Sequence, residues 1–364
     1  MIAIFVIGIR HQIQFRGQVA AATGLAALLL SACGPALQPK QARFELSGCE
    51  AIADTFDPAA VDWQVNADPV LEQGPDGAWD DADVLNPSIA RVNGIFYNLY
   101  SGFDGDTWHT GVATSQDGVA WEKSSANPVL SPDPATWEGG YIAANGSVYH
   151  DGREFLYWYH AGPRNAAQIG LAGSRDGVAW QKHPRPVLTI GAPGAWDESA
   201  VADPYVIRCG DTYYMYFLGQ NRFGLQRLGV ARSEDGIHWQ KSHVNPILDV
   251  GPPDAFDANG LGEPAVFFAG GSYWMLYTGR DRAENRRTGW AQSANGVDWE
   301  KKPAPLLEGS QVWNQHVVCD PTVWAEGGRL LVWFGGGNRP SPDENLAGKI
   351  GLAAIEIPLQ GVQE

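Results

Sequence analysis

The sequence is poor in charge, poor in cations and poor in cysteine. Only 18% of its 364 residues are charged, and 25 Lys and Arg face 41 Asp and Glu, for a formal net charge of −16. So acidic a chain lacks the cationic footprint that phosphate backbones require, which argues against nucleic acid as a partner. The four cysteines form no Cys-x-x-Cys pair, and neither a P-loop spacing nor a His-Glu-x-x-His motif occurs. These absences count against a thiol redox enzyme, an NTPase and a zinc protease. The apolar run at residues 19–30 falls short of the ~20 residues that a membrane-spanning helix needs. What is abundant is glycine, 44 residues or about 12% against a usual ~7%, together with 24 Pro and 15 Trp. The hydrophobic content of 44% suffices for a sizeable core. Many turn formers and aromatics with few charges predict short strands joined by tight turns, in one large all-β domain.

At the N-terminus Arg10, His11 and Arg16 precede the apolar run, which ends in Leu30, Ser31, Ala32, Cys33 and Gly34. A basic stretch, a short apolar stretch and small residues describe a secretory signal. The Leu-Ser-Ala-Cys ending resembles the bacterial lipobox. That resemblance implies a signal peptide over 1–32, lipidation of Cys33, and an exported lipoprotein of the outer membrane, periplasm or cell surface, touching membrane only through its anchor. Residues 33–60 have no clear period and read as a tether, leaving 61–364 as the folded domain. Export permits disulfides, but Cys49, Cys209 and Cys319 are odd in number and match no metal spacing. They read as buried free thiols, with a bridge through Cys49 as the alternative.

A repeat runs through the rest. Ser-x-Asp-Gly-x-x-Trp occurs at Ser115, Asp117, Gly118 and Trp121, recurs at 174–180 and 233–239, and returns at 293–299 with Asn295 for Asp. Each copy is followed by a Gln/Glu-Lys pair and then by Pro and two aliphatics. Counting a partial first copy, the Trp residues are Trp63, Trp121, Trp180, Trp239 and Trp299, spaced by 58, 59, 59 and 60. Within a unit the polarity alternates with period two, and Asn93-Gly94 and Asp117-Gly118 are the strongest short hairpin signals because both residues tolerate positive φ. Four antiparallel strands per unit at this period predict propeller blades. The last unit lacks its fourth strand, and residues 61–64 supply one. The expected fold is therefore an all-β, five-bladed propeller of four-stranded antiparallel blades, closed by the N-terminal strand, which removes open sheet edges.

Just before the first strand of each unit stands a polar residue: Asn86, Asn145, Asp203, Glu263 and Asp320, all but Asn145 followed by Pro. The first strand is innermost, so these five should ring one mouth of the central channel. The loops between second and third strands share that face and carry Trp108, His109, Arg164, Arg222, Arg280, Arg286 and Arg287. The Asp-Gly turns lie on the opposite face, where Asp117, Asp176 and Asp235 only stabilise turns. Carboxylates at a mouth lined with polar loops and aromatics suit sugars, whose C–H patches meet ring faces and whose hydroxyls meet Arg and Asn. A pair of carboxyls about 6.5–9.5 Å apart suits inverting hydrolysis, and ~5 Å suits retention.

Over about residues 61–358 the sequence resembles the five-bladed propeller glycosidases: glycoside hydrolase families 43 and 62, fructosidase families 32 and 68, and mannoside-active family 130. Asp203-Pro204 resembles the family 43 Asp-Pro, and Gly262-Glu263-Pro264 its glutamate site. The resemblance implies Glu263 as general acid and Asp203 as the carboxylate that tunes and orients it. Where family 43 has its base this sequence has Asn86, which cannot take a proton, so the base falls to Asp320 or to Asp83. Asn86-Pro87 matches the first-blade Asn-Pro of family 130, whose second-blade Asp-Pro-Arg is absent, as is the long fructosidase signature. Asp83, Asn86, Asn145, Trp108, His109, Arg222 and Arg280 are the candidate substrate-binding residues. No cofactor or catalytic metal is expected beyond a structural Ca2+ in the channel; arabinanase-like relatives hold a metal with a fifth-blade His, here matched by His316. The Asp-Gly turns also resemble the Asp-box of sialidases, but those propellers usually have six blades. The leading expectation is a monomeric glycosidase with a carbohydrate substrate, hydrolysing a furanoside of the arabinose or xylose type with inversion. The alternatives are a non-catalytic glycan-binding propeller, suggested by Asn86 and Asn145, and a family 130-like mannoside phosphorylase or hydrolase using the 280–287 arginine cluster.

Overall fold

Period-two alternation becomes twenty strands and, among the described residues, no helix. The computed structural model describes residues 45–57, 63–164 and 166–357. Cys33, the signal segment and the start of the strand expected at 61–64 lie outside them. Five antiparallel units follow one another. The first is β2 (Asp83–Val92), β3 (Ile95–Phe103), β4 (Trp108–Ser115) and β5 (Glu122–Lys123), and the second β6 (Ile142–His150), β7 (Phe155–Gly162), β8 (Gln168–Ser174) and β9 (Gln181–Lys182). The third is β10 (Ala200–Cys209), β11 (Thr212–Gln220), β12 (Gln226–Ser233) and β13 (Gln240–Lys241), and the fourth β14 (Gly260–Ala269), β15 (Ser272–Arg280), β16 (Arg286–Ser293) and β17 (Glu300–Lys301). The last comprises β18 (Val317–Glu326), β19 (Arg329–Gly337) and β20 (Lys349–Glu356), with β1 (Gln64–Val65) antiparallel to β20 and Gln64 opposite Ala354. The inner strands lie side by side in succession, β2 by β6, β6 by β10, β10 by β14, β14 by β18, and β18 by β2. The hydrogen-bonded sheets do not themselves close.

Local chemistry explains the hairpins. Asn93 and Gly94 turn between β2 and β3 with φ of 51° and 83°, the left-handed pair that a twisted two-residue hairpin demands. The Asp-Gly turns are structural, as read from sequence. Asp117 Oδ1 accepts the amides of Val119 and Ala120 at 2.8 and 2.9 Å, and Trp121 Nε1 donates to Gly118 O at 3.1 Å. The same carbonyl receives Trp333 Nε1 from the fifth unit at 2.8 Å. Trp158 reaches Gly236 O, and the Tyr216 hydroxyl reaches Gly296 O, each at 2.8 Å. The turn motif is therefore also the fastener between neighbouring units.

The Gln/Glu-Lys pair of the repeat has a second purpose. Its lysine runs inward to an acid that follows the unit's leading aromatic: Lys123 to Asp80 at 2.6 Å, Lys182 to Glu138 at 2.5 Å, Lys241 to Asp197, and Lys301 to Asp257 at 2.5 Å. All four acids are buried. The hydroxyls of Tyr100, Tyr159 and Tyr277 complete three of these sites, as a buried carboxylate requires. The preceding aromatics pack inside the units, Trp79 on Tyr100 and Trp196 on Phe217.

Two expectations about the N-terminal region change. Residues 45–57 are docked, not free: Leu46 and Ala53 are buried, Leu46 N donates to Asn295 O at 3.0 Å, and Phe56 packs edge-on against Phe267 and Trp274. Cys49 and Cys209 form a disulfide, and among the described residues Cys319 is the free, buried cysteine. The partners are 160 residues apart in sequence, so no local pattern could have paired them. Such bonds persist in oxidising compartments.

Candidate active site

The five polar residues sit inside the inner strands, not before them. Each strand begins four residues earlier than expected, because a β-bulge lets it continue through the residue that follows, proline in four of the five units. Register shifts fall between Leu85 and Ser88, Ala144 and Ser147, Ala202 and Tyr205, Gly262 and Ala265, and Cys319 and Thr322. At each bulge the polar residue takes a left-handed φ: 50° at Asn86, 46° at Asn145, 47° at Asp203, 44° at Glu263 and 52° at Asp320. For a residue with a Cβ that conformation costs about 1–2 kcal/mol. Pro at the next position leaves no ladder N–H unpaired. In the second unit Gly146 replaces it, since a Cβ there would stand 2.4 Å from Trp158 O. Five equivalent strained residues, none of them glycine, mark a site.

All five line one cavity of about 260 Å3 at the channel mouth. Asp203 and Asp320 are buried, and Glu263 is half-buried. Asp320 Oδ2 accepts the Asn86 amide at 3.1 Å, and the Asp320 amide donates to Thr278 Oγ1 at 3.0 Å. Room for that carboxylate comes from Gly335, where a Cβ would lie 2.5 Å from Asp320 Oδ2. Asn145 Nδ2 lies 3.5 Å from Asp203 Oδ1, and its Oδ1 accepts Ser101 Oγ at 2.9 Å. Glu263 Oε2, Asp320 Oδ1 and His160 Nδ1 are buried atoms with no hydrogen-bond partner among the described residues. Buried polar atoms are normally satisfied, so a cluster of three at one cavity marks it as suited to a polar ligand. Burial, reinforced by the Asp320 and Asp203 carboxylates, holds the Glu263 carboxyl well above its ordinary range, against the pull of Arg286 and Thr278. Burial also raises Asp320, to about 6, opposed chiefly by the Arg286 cation. Near neutral pH one carboxyl keeps its proton while its neighbour is ionised, the division of labour that acid/base cleavage needs.

Of the other residues singled out from sequence, Trp108 and Arg280 line the cavity and Asp83, His109 and Arg222 do not. Asp83 is buried beside it, its oxygens taken by the amides of Asn345 at 2.6 Å and Gly348 at 2.8 Å. It thereby ties down the loop that carries Asn345 and Gly348. His109 Nδ1 pairs with Ser131 Oγ at 2.9 Å, and Arg222 lies at the surface against Glu198. His316 Nδ1 meets Asn285 Oδ1 at 2.9 Å, also away from the cavity. Tyr141, His160, Gln220, Gln226 and Thr278 line it without having been singled out for the site, and Arg164 and Arg286, named among the loop residues of that face, line it too. A signal for two of them existed. His160 and Thr278 stand opposite the residue that precedes a bulge, as Ser101 does in the first unit. Arg286, one of the 280–287 arginine cluster, is buried, with Nη2 donating to Pro342 O at 2.6 Å and Ser341 O at 3.2 Å.

The chain is similar to several known proteins. The model described as the glycosyl hydrolases family 32 N-terminal domain matches residues 92–246 and, overlapping, 211–345, two matches offset by two repeat units. An uncharacterised protein of Mycobacterium tuberculosis is 32% identical over 224 residues, 59% of this chain and 73% of that one. A 1,2-beta-oligomannan phosphorylase of a Thermoanaerobacter species is 29% identical over 133 residues, 34% of this chain and under half, 44%, of the enzyme. Among solved structures, one reported for the GH130 family of mannoside phosphorylases, said to contain glycoside hydrolases that target β-1,2 mannosidic linkages in Candida mannan, superposes with a TM-score of 0.65 at 17% identity, covering 83% of this chain and 96% of that one. A β-1,2-mannobiose phosphorylase from Listeria innocua, in complex with β-1,2-mannobiose, gives 0.59 at 14%, covering 76% and 90%. At these identities the structural likeness speaks for a propeller-type fold alone.

Proposed function

The chain belongs to the glycosyl hydrolase family 32 N-terminal-domain family and is thus a glycan-active enzyme, and from that premise we propose that it hydrolyses a β-mannoside by acid/base catalysis in the channel-mouth cavity. The observation that carries this is the Glu263, Asp203 and Asp320 cluster, with two carboxyls raised by burial and two carboxylate oxygens left without partners. Glu263 delivers its proton to the leaving oxygen. Asp203, whose negative charge helps keep that proton on, orients the acid, and Asp320 activates water. The mannoside activities named for the relatives favour a mannoside over the arabinose- or xylose-type furanoside that the sequence suggested.

Phosphorolysis is the second reading, favoured by the names of two relatives. A phosphate co-substrate would need a free cation in the cavity. Arg164 is paired with Glu344, Arg280 Nη1 donates to Pro342 O, and Arg286 donates to Pro342 and Ser341. Arg164 is neutralised by Glu344, whereas Arg280 and Arg286 each keep a buried Nε without a hydrogen-bond partner among the described residues, so the phosphate dependence of the reaction decides between the two readings. The test is reducing-sugar release from β-1,2-mannobiose, mannan and arabino- and xylo-oligosaccharides, with and without inorganic phosphate. Release from the mannosides without phosphate is the expected result. Release only with phosphate would establish the phosphorylase, and binding of these glycans with no release would leave a glycan-binding propeller.

We further propose that the five units are the blades of one propeller ring and that β1 closes it. Support comes from the pairing of β1 with β20, the adjacency of β18 and β2, and the Trp333 bond to Gly118 across the seam. Deleting residues 60–71 should then lower the melting temperature of the whole domain by several degrees, because it bares sheet edges at the seam. An unaltered melting curve would sink the closure.

A further inference from the structure

We propose that Glu344 is a positioning residue that builds the sugar-facing wall of this cavity, an inference that rests on the glycan-cleaving reading above. The loop of residues 338–348 joins β19 to β20, and its Pro342 and Asp343 line the cavity. From that loop the Glu344 carboxylate accepts the Tyr141 hydroxyl at 2.7 Å, Arg164 Nη1 at 3.1 Å and Arg164 Nη2 at 2.8 Å. It also accepts a side-chain hydrogen bond from Trp108. Its own pKa falls below the ordinary value because these donors outweigh burial, so it serves as a fixed anion. The Arg164 guanidinium lies 4.2 Å over the Tyr141 ring, and Trp108 stacks on Phe103 at 4.7 Å.

Three cavity-lining side chains from the first two units thus end on one carboxylate of the fifth. The consequence is chemical. The polar ends of Trp108 and Tyr141 are spent on Glu344, the Trp108 ring is buried against Phe103 and the Arg164 guanidinium covers the Tyr141 ring, so that wall presents the Arg164 plane backed by aromatic rings. Across the cavity the bulge residues offer carboxylates and amides. A ligand that lies flat against a guanidinium and turns hydroxyls to the opposite wall, a sugar ring, suits such a pair.

The loop that carries Glu344 is pinned at several points. Asp83 holds the amides of Asn345 and Gly348, Leu346 is fully buried, and Arg280 and Arg286 donate to Pro342 O. Asn345 and Ala347 take left-handed φ values of 63° and 55°, strain that persists only where the surroundings dictate it. Asp83 is therefore the anchor behind Glu344, which accounts for a buried carboxylate beside the site but outside the cavity.

The experiment compares Glu344→Gln, Glu344→Ala and Asp83→Asn with wild type on whichever panel glycan the wild type cleaves fastest. Loss of a wall that binds ground state and transition state alike raises KM and spares kcat. We expect KM to rise about tenfold in Glu344→Ala, less in Glu344→Gln, with kcat within about threefold. The dissociation constant of the same glycan, measured in a Glu263→Gln background, should rise by the same factor. Asp83→Asn should show the same KM-type loss. A collapse of kcat at unchanged KM in Asp83→Asn would make it the base instead and overturn its anchoring role, and unchanged KM and dissociation constant in both Glu344 variants would overturn the proposal. A readout that needs no substrate separates this from failure of the glycan reading. Amide hydrogen exchange at residues 339–348 and 140–142 should accelerate in Glu344→Ala while the melting temperature holds. If the wild type cleaves no glycan, the glycan reading falls, and unchanged protection in Glu344→Ala overturns the positioning role on its own.

Discussion

Glu263→Gln should lower turnover of unactivated glycan by a factor on the order of 10²–10⁴, the usual worth of a positioned general acid. The substitution preserves shape and hydrogen-bonding capacity while removing the transferable proton. Glu263 is placed for that task by a bulge that turns it into the cavity, and burial with two neighbouring carboxylates keeps it protonated where a free Glu would have ionised. Sugar affinity should survive. Aryl glycosides with good leaving groups need less help from an acid and should lose least, which separates lost proton donation from general damage. The alkaline limb of the pH–rate profile should vanish in the variant, because the group whose ionisation produces it is gone. Wild-type turnover of unactivated substrate by Glu263→Gln would remove Glu263 from the chemistry.

Asp320→Asn should cost turnover on a similar scale and should also change how stability depends on pH. In the wild type the Asp320 carboxyl is raised from an ordinary value of 3.8 to about 6, so the acid limb of the pH–rate profile should lie near pH 6. A carboxyl whose pKa is higher folded than unfolded favours the fold while it is protonated. That contribution is complete below about pH 4 and is lost as pH rises through about 6. The asparagine variant carries no such penalty. Its melting temperature relative to wild type should therefore climb between pH 4 and pH 7, a gain in stability bought with activity. A difference that is flat, or that shrinks over this interval, would mean that Asp320 is not the strained carboxyl described here. Full activity in Asp320→Asn would return the search for the base to the remaining acids.

Several parts of this protein were legible without coordinates. The strand pattern, the Asn-Gly and Asp-Gly hairpins and the turn role of Asp117 follow from φ preferences acting over a few residues. The five bulge residues were found as Asn86, Asn145, Asp203, Glu263 and Asp320 because a repeat of about 59 residues puts equivalent positions in register. Their conformation was misjudged. Proline reads as the start of a strand, whereas a bulge allows the strand to pass through it, so the polar residues lie within β2, β6, β10, β14 and β18. The packing of Trp79 and Trp196 inside their units is decided by the fold, since the glycines beneath them lie on other strands.

The sequence by itself determined the repeat, its antiparallel strands and the residue types brought to the channel mouth, because those depend on contacts between near neighbours along the chain. Tertiary structure alone decided which of those residues act together. Asp320 meets the Asn86 amide across 234 residues, Asp83 meets Gly348 across 265, and Glu344 meets Arg164 across 180. The raised carboxyls have the same origin, for desolvation and the field of neighbouring charges depend on distance through space. Assembling the units buries a carboxylate that the sequence can only list, and so only the assembled molecule sets Glu263 beside Asp320 and Asp203 and ties Asp83 to the 345–348 loop.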